Sequence, residues 1–311
     1  MKLALAQLAP VWLDRTATLA KIQQYISDAA TAGAQLICFG ETLLPGYPFW
    51  LSTAEGAAFD NRRQKELHAH YLREAVCIER GDLDSLRRQA KQYKIAIYLG
   101  VAERPTDRGG HSIYCSLIYI DAAGIILSVH RKLQPTYEER LVWAPGDGHG
   151  LRTHRLREFT IGGLNCWENW MPLSRAALYA QGEDLHVAVW PGAVRNTVDS
   201  TRFMALEGRS YVASVSGLLR KSDIPEGTPH RDFILSNCPE IINNGGTCLA
   251  APDGSWVIEP TANEEALLTA EININRVLEE RQNFDPAGHY SRPDVTRLIL
   301  SRKRQSLMEE E

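Results

Sequence analysis

Apolar residues recur along this chain in short, nearly unbroken runs of strand length, and the stretches between them carry apolar positions at helical spacing. The first run, Leu3 to Gln7, is followed by Asp14, a residue suited to cap a helix. Leu19, Ile22, Ile26, Ala29 and Ala30 then form a stripe that ends at Gly33. Leu36 to Gly40 is again an apolar strand, so the order is a βαβ unit, which implies parallel pairing. Two polar helices are predicted next, one from Arg62 to Cys77 and one from an Asp82 cap to Tyr93. Three β-rich runs follow, Ile95 to Glu103, Ser112 to Ile120 and Gly124 to Lys132, the last two joined by an Asp-Ala-Ala-Gly turn. The second half repeats the alternation. An apolar run from Ile161 leads into Cys166, and Pro172 opens a helix, where its missing N–H costs nothing. Leu185 to Trp190 is a buried strand and Ser200 to Tyr211 another helix. A hairpin turning at Asp253-Gly254 and a last strand from Ala266 to Asn273 follow.

From Arg276 onward the pattern is polar and reads as irregular or peripheral. No linker or low-complexity break interrupts it, so the pattern predicts one α/β domain over residues 1–275. Residues 276–311 read as a C-terminal extension packed on the domain or on a partner subunit. The alternation by itself also fits a doubly wound single sheet.

Composition narrows the class. At 44% hydrophobic and 23% charged residues the 311-residue chain is ordinary globular protein, and a formal net charge of −4 gives no electrostatic reason to expect nucleic acid. The basic Arg302 to Arg304 run followed by three glutamates reads as a solvated tail. Gln7, Pro10 and Asp14 interrupt the N-terminal apolar segment before it resembles a signal peptide, and no run approaches the roughly 18 residues of a membrane span. Six widely spaced cysteines without CxxC or clustered histidines argue against a disulfide framework or a structural metal. A cytoplasmic, reduced protein without membrane contact is expected.

Three residues stand where α/β proteins place their chemistry, at the ends of predicted strands: Glu41, Lys132 and Cys166. A cysteine between a strand and a helix start meets backbone N–H groups and the positive end of a helix dipole, which favours a thiolate. Should the three converge, the carboxylate can take the thiol proton and the ammonium can stabilise negative charge, a complete acyl-transfer set without histidine. Each has a plain alternative: Cys166 as a small buried hydrophobe, Glu41 as a solvated carboxylate, Lys132 as a surface cation. The alternating glycines of Gly146 to Gly150 lack a following lysine and helix, so they read as a turn beside the site rather than a phosphate loop.

Five segments carry a resemblance: FGETLLPGYPFW, HRKLQPTYEERLVWAPGDG, GLNCWENWMPLSRAALYAQG, VWPG and, from Gly288, GHYSRPDV. Together and in order they resemble the nitrilase branch of the carbon-nitrogen hydrolase superfamily. The resemblance implies a four-layer α-β-β-α sandwich and a catalytic triad of Glu41, Lys132 and Cys166. It also implies a second glutamate that orients the lysine, Glu139, directly before an Arg and seven residues after Lys132. Hydrolysis of a small-molecule nitrile to the carboxylic acid and ammonia, through a thioimidate and then a thioester on Cys166, is the implied reaction. No cofactor and no metal are expected. Tyr47, Trp143, Trp167, Asn169 and Trp190, near these motifs, are the expected substrate contacts, with Trp170 and Met171 beside them. An amidase or carbamoylase of the same superfamily is the runner-up, and a catalytically silent assembly protein the alternative from another class. The family also implies a homodimer or a higher homo-oligomer.

Overall fold

The apolar runs become strands in the computed structural model, which describes residues 1–308. β1 (Lys2–Gln7) leads through α1 (Arg15–Thr31) to β2 (Leu36–Phe39). After α2 (Trp50–Thr53), α3 (Arg62–Glu74) and α4 (Asp84–Tyr93) come β3 (Ala96–Glu103), β4 (Tyr114–Ile120) and β5 (Ile126–Arg131). The second half runs β6 (His154–Leu156), β7 (Phe159–Asn165), α5 (Pro172–Tyr179), β8 (Leu185–Trp190), α6 (Val194–Gly208) and β9 (Tyr211–Ser216). It closes with β10 (Leu218–Arg220), α7 (Arg231–Asn237), β11 (Ile241–Ala250), β12 (Trp256–Ala262), β13 (Ala266–Glu271) and α8 (Ile274–Arg281).

Among the described residues the strands form two mixed sheets rather than one doubly wound sheet, in the orders β13-β1-β2-β3-β4-β5 and β10-β11-β9-β8-β7-β6, with β12 on β11. β1, β2 and β3 pair in parallel, as do β7, β8 and β9. These strands are covered on both faces, which is why their sequences are continuously apolar instead of alternating. Leu3, Leu5, Leu36 and Leu117 of the first sheet pack on Ile161, Val187, Ala213 and Leu249 of the second. The outer face of the first sheet, including Ile37, Ile97 and Ile118, is covered by Ile22 and Ile26 of α1 and Leu86 of α4. The outer face of the second is covered by Met204 and Ala205 of α6 and by Ala177 and Leu178 of α5. The result is a four-layer α-β-β-α sandwich. Each fully buried Leu, Ile or Val contributes about 1.5–3 kcal/mol by leaving water.

Local departures have local causes. Asp14 caps α1 through Ala17 N–H, whereas α4 has no side-chain cap: the Asp82 carboxylate instead accepts from Cys77 N at 2.8 Å and from Arg15. α6 starts six residues before Ser200 and ends at Gly208, so that Tyr211 opens a strand. The stretch from Arg276 is not all irregular, because Asn273 caps α8 and Val277 is buried against the core between the sheets. The basic run is exposed at Arg302 and Lys303, as a solvated tail should be, but contacts to the domain hold it. Arg304 donates to Asp147 Oδ1 and Val129 O, both at 3.0 Å, and Arg302 donates to Gln181 Oε1 at 2.6 Å. The tail is thereby strapped across the Gly146–Gly150 loop; the three glutamates after it, 309–311, lie outside the described residues. No helix of the described residues is long and apolar enough to cross a membrane.

Candidate active site

The carboxyl ends of β2, β5 and β7 meet where the two sheets face each other. Glu41 follows β2 by two residues, Lys132 directly follows β5, and Cys166 directly follows β7. The passage is tight. A Cβ on Gly100 would stand 2.3 Å from Gly40 O and 2.8 Å from Glu41 Cα, so only glycine on β3 lets the Glu41 backbone pass. Glu41 N in turn donates to Trp190 O at 3.2 Å, fastening a strand end of one sheet to a strand of the other. Gly146 performs the same service for the lysine. Its N–H donates to Lys132 O at 2.8 Å, and a Cβ there would strike Arg131 O at 2.1 Å. Cys166 itself has φ of 47°, a left-handed conformation that is strained for a side chain other than glycine and is held by the turn around it.

The three side chains converge, and Glu139 joins them. Lys132 Nζ donates to Glu41 Oε1 at 2.9 Å and to Glu139 Oε2 at 2.7 Å, with all three side chains at most 1% exposed. Glu139 Oε1 accepts from the Tyr47 hydroxyl at 2.9 Å, and Oε2 accepts from Thr136 N at 2.6 Å. Cys166 Sγ and a carboxylate oxygen of each glutamate lie within 4.8 Å of one another. This is the one set of potential metal ligands among the described residues, yet the lysine ammonium bound to both carboxylates already fills the place of a cation.

Electrostatics correct one expectation. Cys166 does not rest as a thiolate: burial first, and then the Glu41 and Glu139 carboxylates, push its pKa well above the ordinary value, more than Lys132 and the Trp167 N–H pull it down. The segment after Cys166 is a 3-10 turn, Cys166–Trp170, not an α-helix, so its dipole is short. Burial likewise raises Glu41 to about 7 against the opposing pull of Lys132. Lys132 stays charged because Glu41, Cys166 and Glu139 together outweigh the cost of burying it. The resting site is thus a neutral thiol beside a carboxylate whose proton affinity is near neutrality.

The turn that presents Cys166 is locked from behind. Glu168 accepts from Asn165 N at 3.0 Å, Leu133 N at 2.9 Å and His130 Nε2 at 2.9 Å, which ties the thiol turn to the strand carrying Lys132. Burial opposes its ionisation, but His130 and the two backbone donors hold its pKa below the usual value.

Of the expected substrate contacts, Tyr47 and Trp167 line a cavity of about 700 Å³ that reaches Glu139 and Cys166. Trp143, Asn169 and Trp190 do not line it. Trp143 backs Lys132, with Nζ 5.6 Å from its ring, and donates to Tyr71 OH. Trp190 donates to Ser214 Oγ at 3.2 Å on the side of its sheet that α6 covers. Asn169 is a brace: Nδ2 donates to Cys166 O at 2.9 Å, and Oδ1 meets His186 Nε2 at 2.7 Å. The far wall carries Arg195, Asn196, Asn243 and Asn244 among apolar Ile241 and Ile242, and none of them stands in a segment that the strand-end pattern singles out. Trp167 stacks on Trp170 with ring centroids 5.0 Å apart, and both are 45% exposed.

The family model described as carbon-nitrogen hydrolase matches residues 2–282. Nitrilase 2 of an unknown prokaryotic organism is 35% identical over 303 residues, covering 96% of this chain and 92% of that protein. A bifunctional nitrilase/nitrile hydratase of Nicotiana tabacum is 32% identical over 308 residues, 96% of this chain and 86% of the relative. An aliphatic nitrilase of Rhodococcus rhodochrous is 32% identical over 314 residues, 96% of this chain and 79% of the relative. Among solved structures, an amidase from Nesterenkonia sp. AN1 aligns with a TM-score of 0.63 at 20% identity over 91% of this chain and 97% of that one. At that identity the likeness concerns the fold.

Proposed function

This chain belongs to the carbon-nitrogen hydrolase family, and from that premise we propose that it is a nitrilase working through Glu41, Lys132 and Cys166. The observation that carries the reading is the buried contact of Lys132 with both Glu41 and Glu139 beside the Cys166 thiol, directly behind the Glu139 and Cys166 side of a cavity large enough for a small organic substrate. Nitrilase relatives across 96% of the chain support it.

The steps follow from the groups present. Glu41 takes the Cys166 proton as Sγ bonds to the nitrile carbon, and the proton passes to the nitrile nitrogen, giving a thioimidate. Lys132 and the Trp167 N–H stabilise the negative charge that develops on that nitrogen. Water adds to the thioimidate carbon, ammonia leaves and a thioester remains. A second water, deprotonated by Glu41, then releases the carboxylic acid and regenerates the thiol. Glu139, held by Tyr47 and Thr136, keeps the ammonium aimed at the reacting atoms. The test is rapid quench with a slowly turned-over nitrile followed by intact-protein and peptide mass spectrometry. A covalent adduct on Cys166 with ammonia release is expected. Hydrolysis of amides with no turnover of any nitrile would transfer the assignment to the amidase reading.

The assembly we propose is at least a homodimer built on α5 and α6. Leu173 is 69% exposed at the start of α5 and Phe203 58% on α6, with Met171 and Leu206 also exposed, apolar side chains on these two helices that a partner would cover. A fully active monomer in light scattering would refute it. Six unpaired cysteines support a reducing, cytoplasmic location.

A further inference from the structure

One ionisable side chain touches the catalytic cluster without a part in these steps. Cys115, on β4, is buried, with Sγ 3.3 Å from Glu41 Oε1. Burial and then the Glu41 carboxylate push its pKa well above the ordinary thiol value, so it is an S–H donor and the carboxylate accepts. The sulfur also meets Thr42 Oγ1 at 3.4 Å, and Cys115 O accepts from Lys132 N at 2.8 Å. Cys115 is therefore fastened to the chain beside the base and to the strand end that carries the lysine.

The two oxygens of Glu41 are unlike. Oε1 receives the Lys132 ammonium at 2.9 Å and the Cys115 thiol at 3.3 Å. Oε2 is buried and has no hydrogen-bond partner among the described residues. A carboxylate turns easily about its last torsion, and one donor alone is a pivot. Two donors reaching Oε1 from different strands hold its plane.

We propose that Cys115 is a positioning residue for the base: by donating to Oε1 of Glu41 it keeps Oε2 bare as the oxygen that receives the proton of Cys166. The inference rests on the reading of Glu41 as base. On this proposal the proton of Cys166 Sγ goes to Oε2 while both donors stay on Oε1. The groups facing Glu41 are Lys132 from the end of β5, Glu139 from the turn after it, Cys166 from the end of β7, Cys115 from β4, and the phenols of Tyr47 and Tyr71. Removing the Cys115 donor destabilises the ionised form of Glu41, so a higher pH is needed before it can accept a proton.

The test compares Cys115→Val, which keeps bulk without a donor, Cys115→Ala, which keeps neither, and Cys115→Ser, which keeps a donor. Iodoacetamide alkylation of Cys166, followed by peptide mass spectrometry between about pH 5 and 9, reads the acid limb without any nitrile, and kcat/KM for a turned-over nitrile is recorded beside it. In the Val and Ala variants the limb is expected to move up by about half a pH unit or more, with the alkylation rate near pH 6 falling about threefold or more. The Ser variant is expected to bring the limb back toward wild type. A limb that stays in place in both donor-free variants overturns the proposal, as does a Ser limb displaced as far as that of Val. The parent reading fails separately. A Glu41→Gln limb that coincides with wild type refutes Glu41 as base, whereas a displaced Glu41→Gln limb with an unmoved Val limb refutes Cys115 alone.

Discussion

The floor and the far wall of the cavity are built on opposite plans. On the floor, Glu139 and Cys166 line the cavity with Glu41 and Lys132 packed behind them; all four are buried, and each glutamate is tied to the lysine by a hydrogen bond under 3 Å. On the far wall, Arg195 is exposed, while Asn243 and Asn244 hydrogen-bond to the backbone around them. Interlocked buried charges cannot move singly, because removing one strands its partner away from water. An exposed arginine can change with little cost to the fold. On the proposed reading, the difference assigns reaction chemistry to the floor and substrate choice to the wall, and it predicts different kinetic signatures for damage to each.

Damage to the floor has the largest effects. Cys166→Ala removes the nucleophile and is expected to lower kcat by about 10³-fold or more with folding intact, as measured by ammonia release and thermal melting. Lys132→Met leaves two buried carboxylates facing each other without their cation. It is expected to lose activity to the same extent and also to destabilise the protein by about 3–5 kcal/mol in urea unfolding. If it melted like wild type, the floor would not be interlocked as described.

Acidity probes the same floor more gently. Glu41 must be ionised to accept the thiol proton, and burial raises it to about 7. The acid limb of kcat/KM is therefore expected at about pH 7, with activity falling about tenfold for each pH unit below it. A limb at the ordinary carboxylate value would show that the base is solvated in the working enzyme. One step further back, Glu168→Gln weakens the link between the Cys166 turn and His130. A fall in kcat of about tenfold with KM little changed is expected, since the residue positions the thiol without touching substrate.

The wall is expected to respond in the other parameter. Arg195→Ala should raise KM for nitriles bearing a carboxylate by about three- to tenfold and leave uncharged nitriles within about twofold, with kcat near wild type for both. Equal effects on charged and uncharged substrates would erase the distinction between floor and wall.

Much of this design was legible in the chain. The βαβ order, the Asp14 cap and the Pro172 helix start are written in local periodicity and capping chemistry, which act over a few residues. The strand-end positions of Glu41, Lys132 and Cys166 come from the same source, since the apolar runs stop just before them. Their convergence does not. β2 and β5 belong to one sheet and β7 to the other, so the meeting of the three ends depends on how two whole apolar faces pack, which no short segment encodes. Face assignment fails for a related reason. β8 is buried on both sides throughout, so alternation could not tell that Trp190 points away from the cavity, and β4 hides in the same way that Cys115 reaches Glu41. The protonation of Cys166 is tertiary as well: local signals at the turn favour a thiolate, and burial beside two carboxylates that lie 27 and 125 residues away in the chain reverses them.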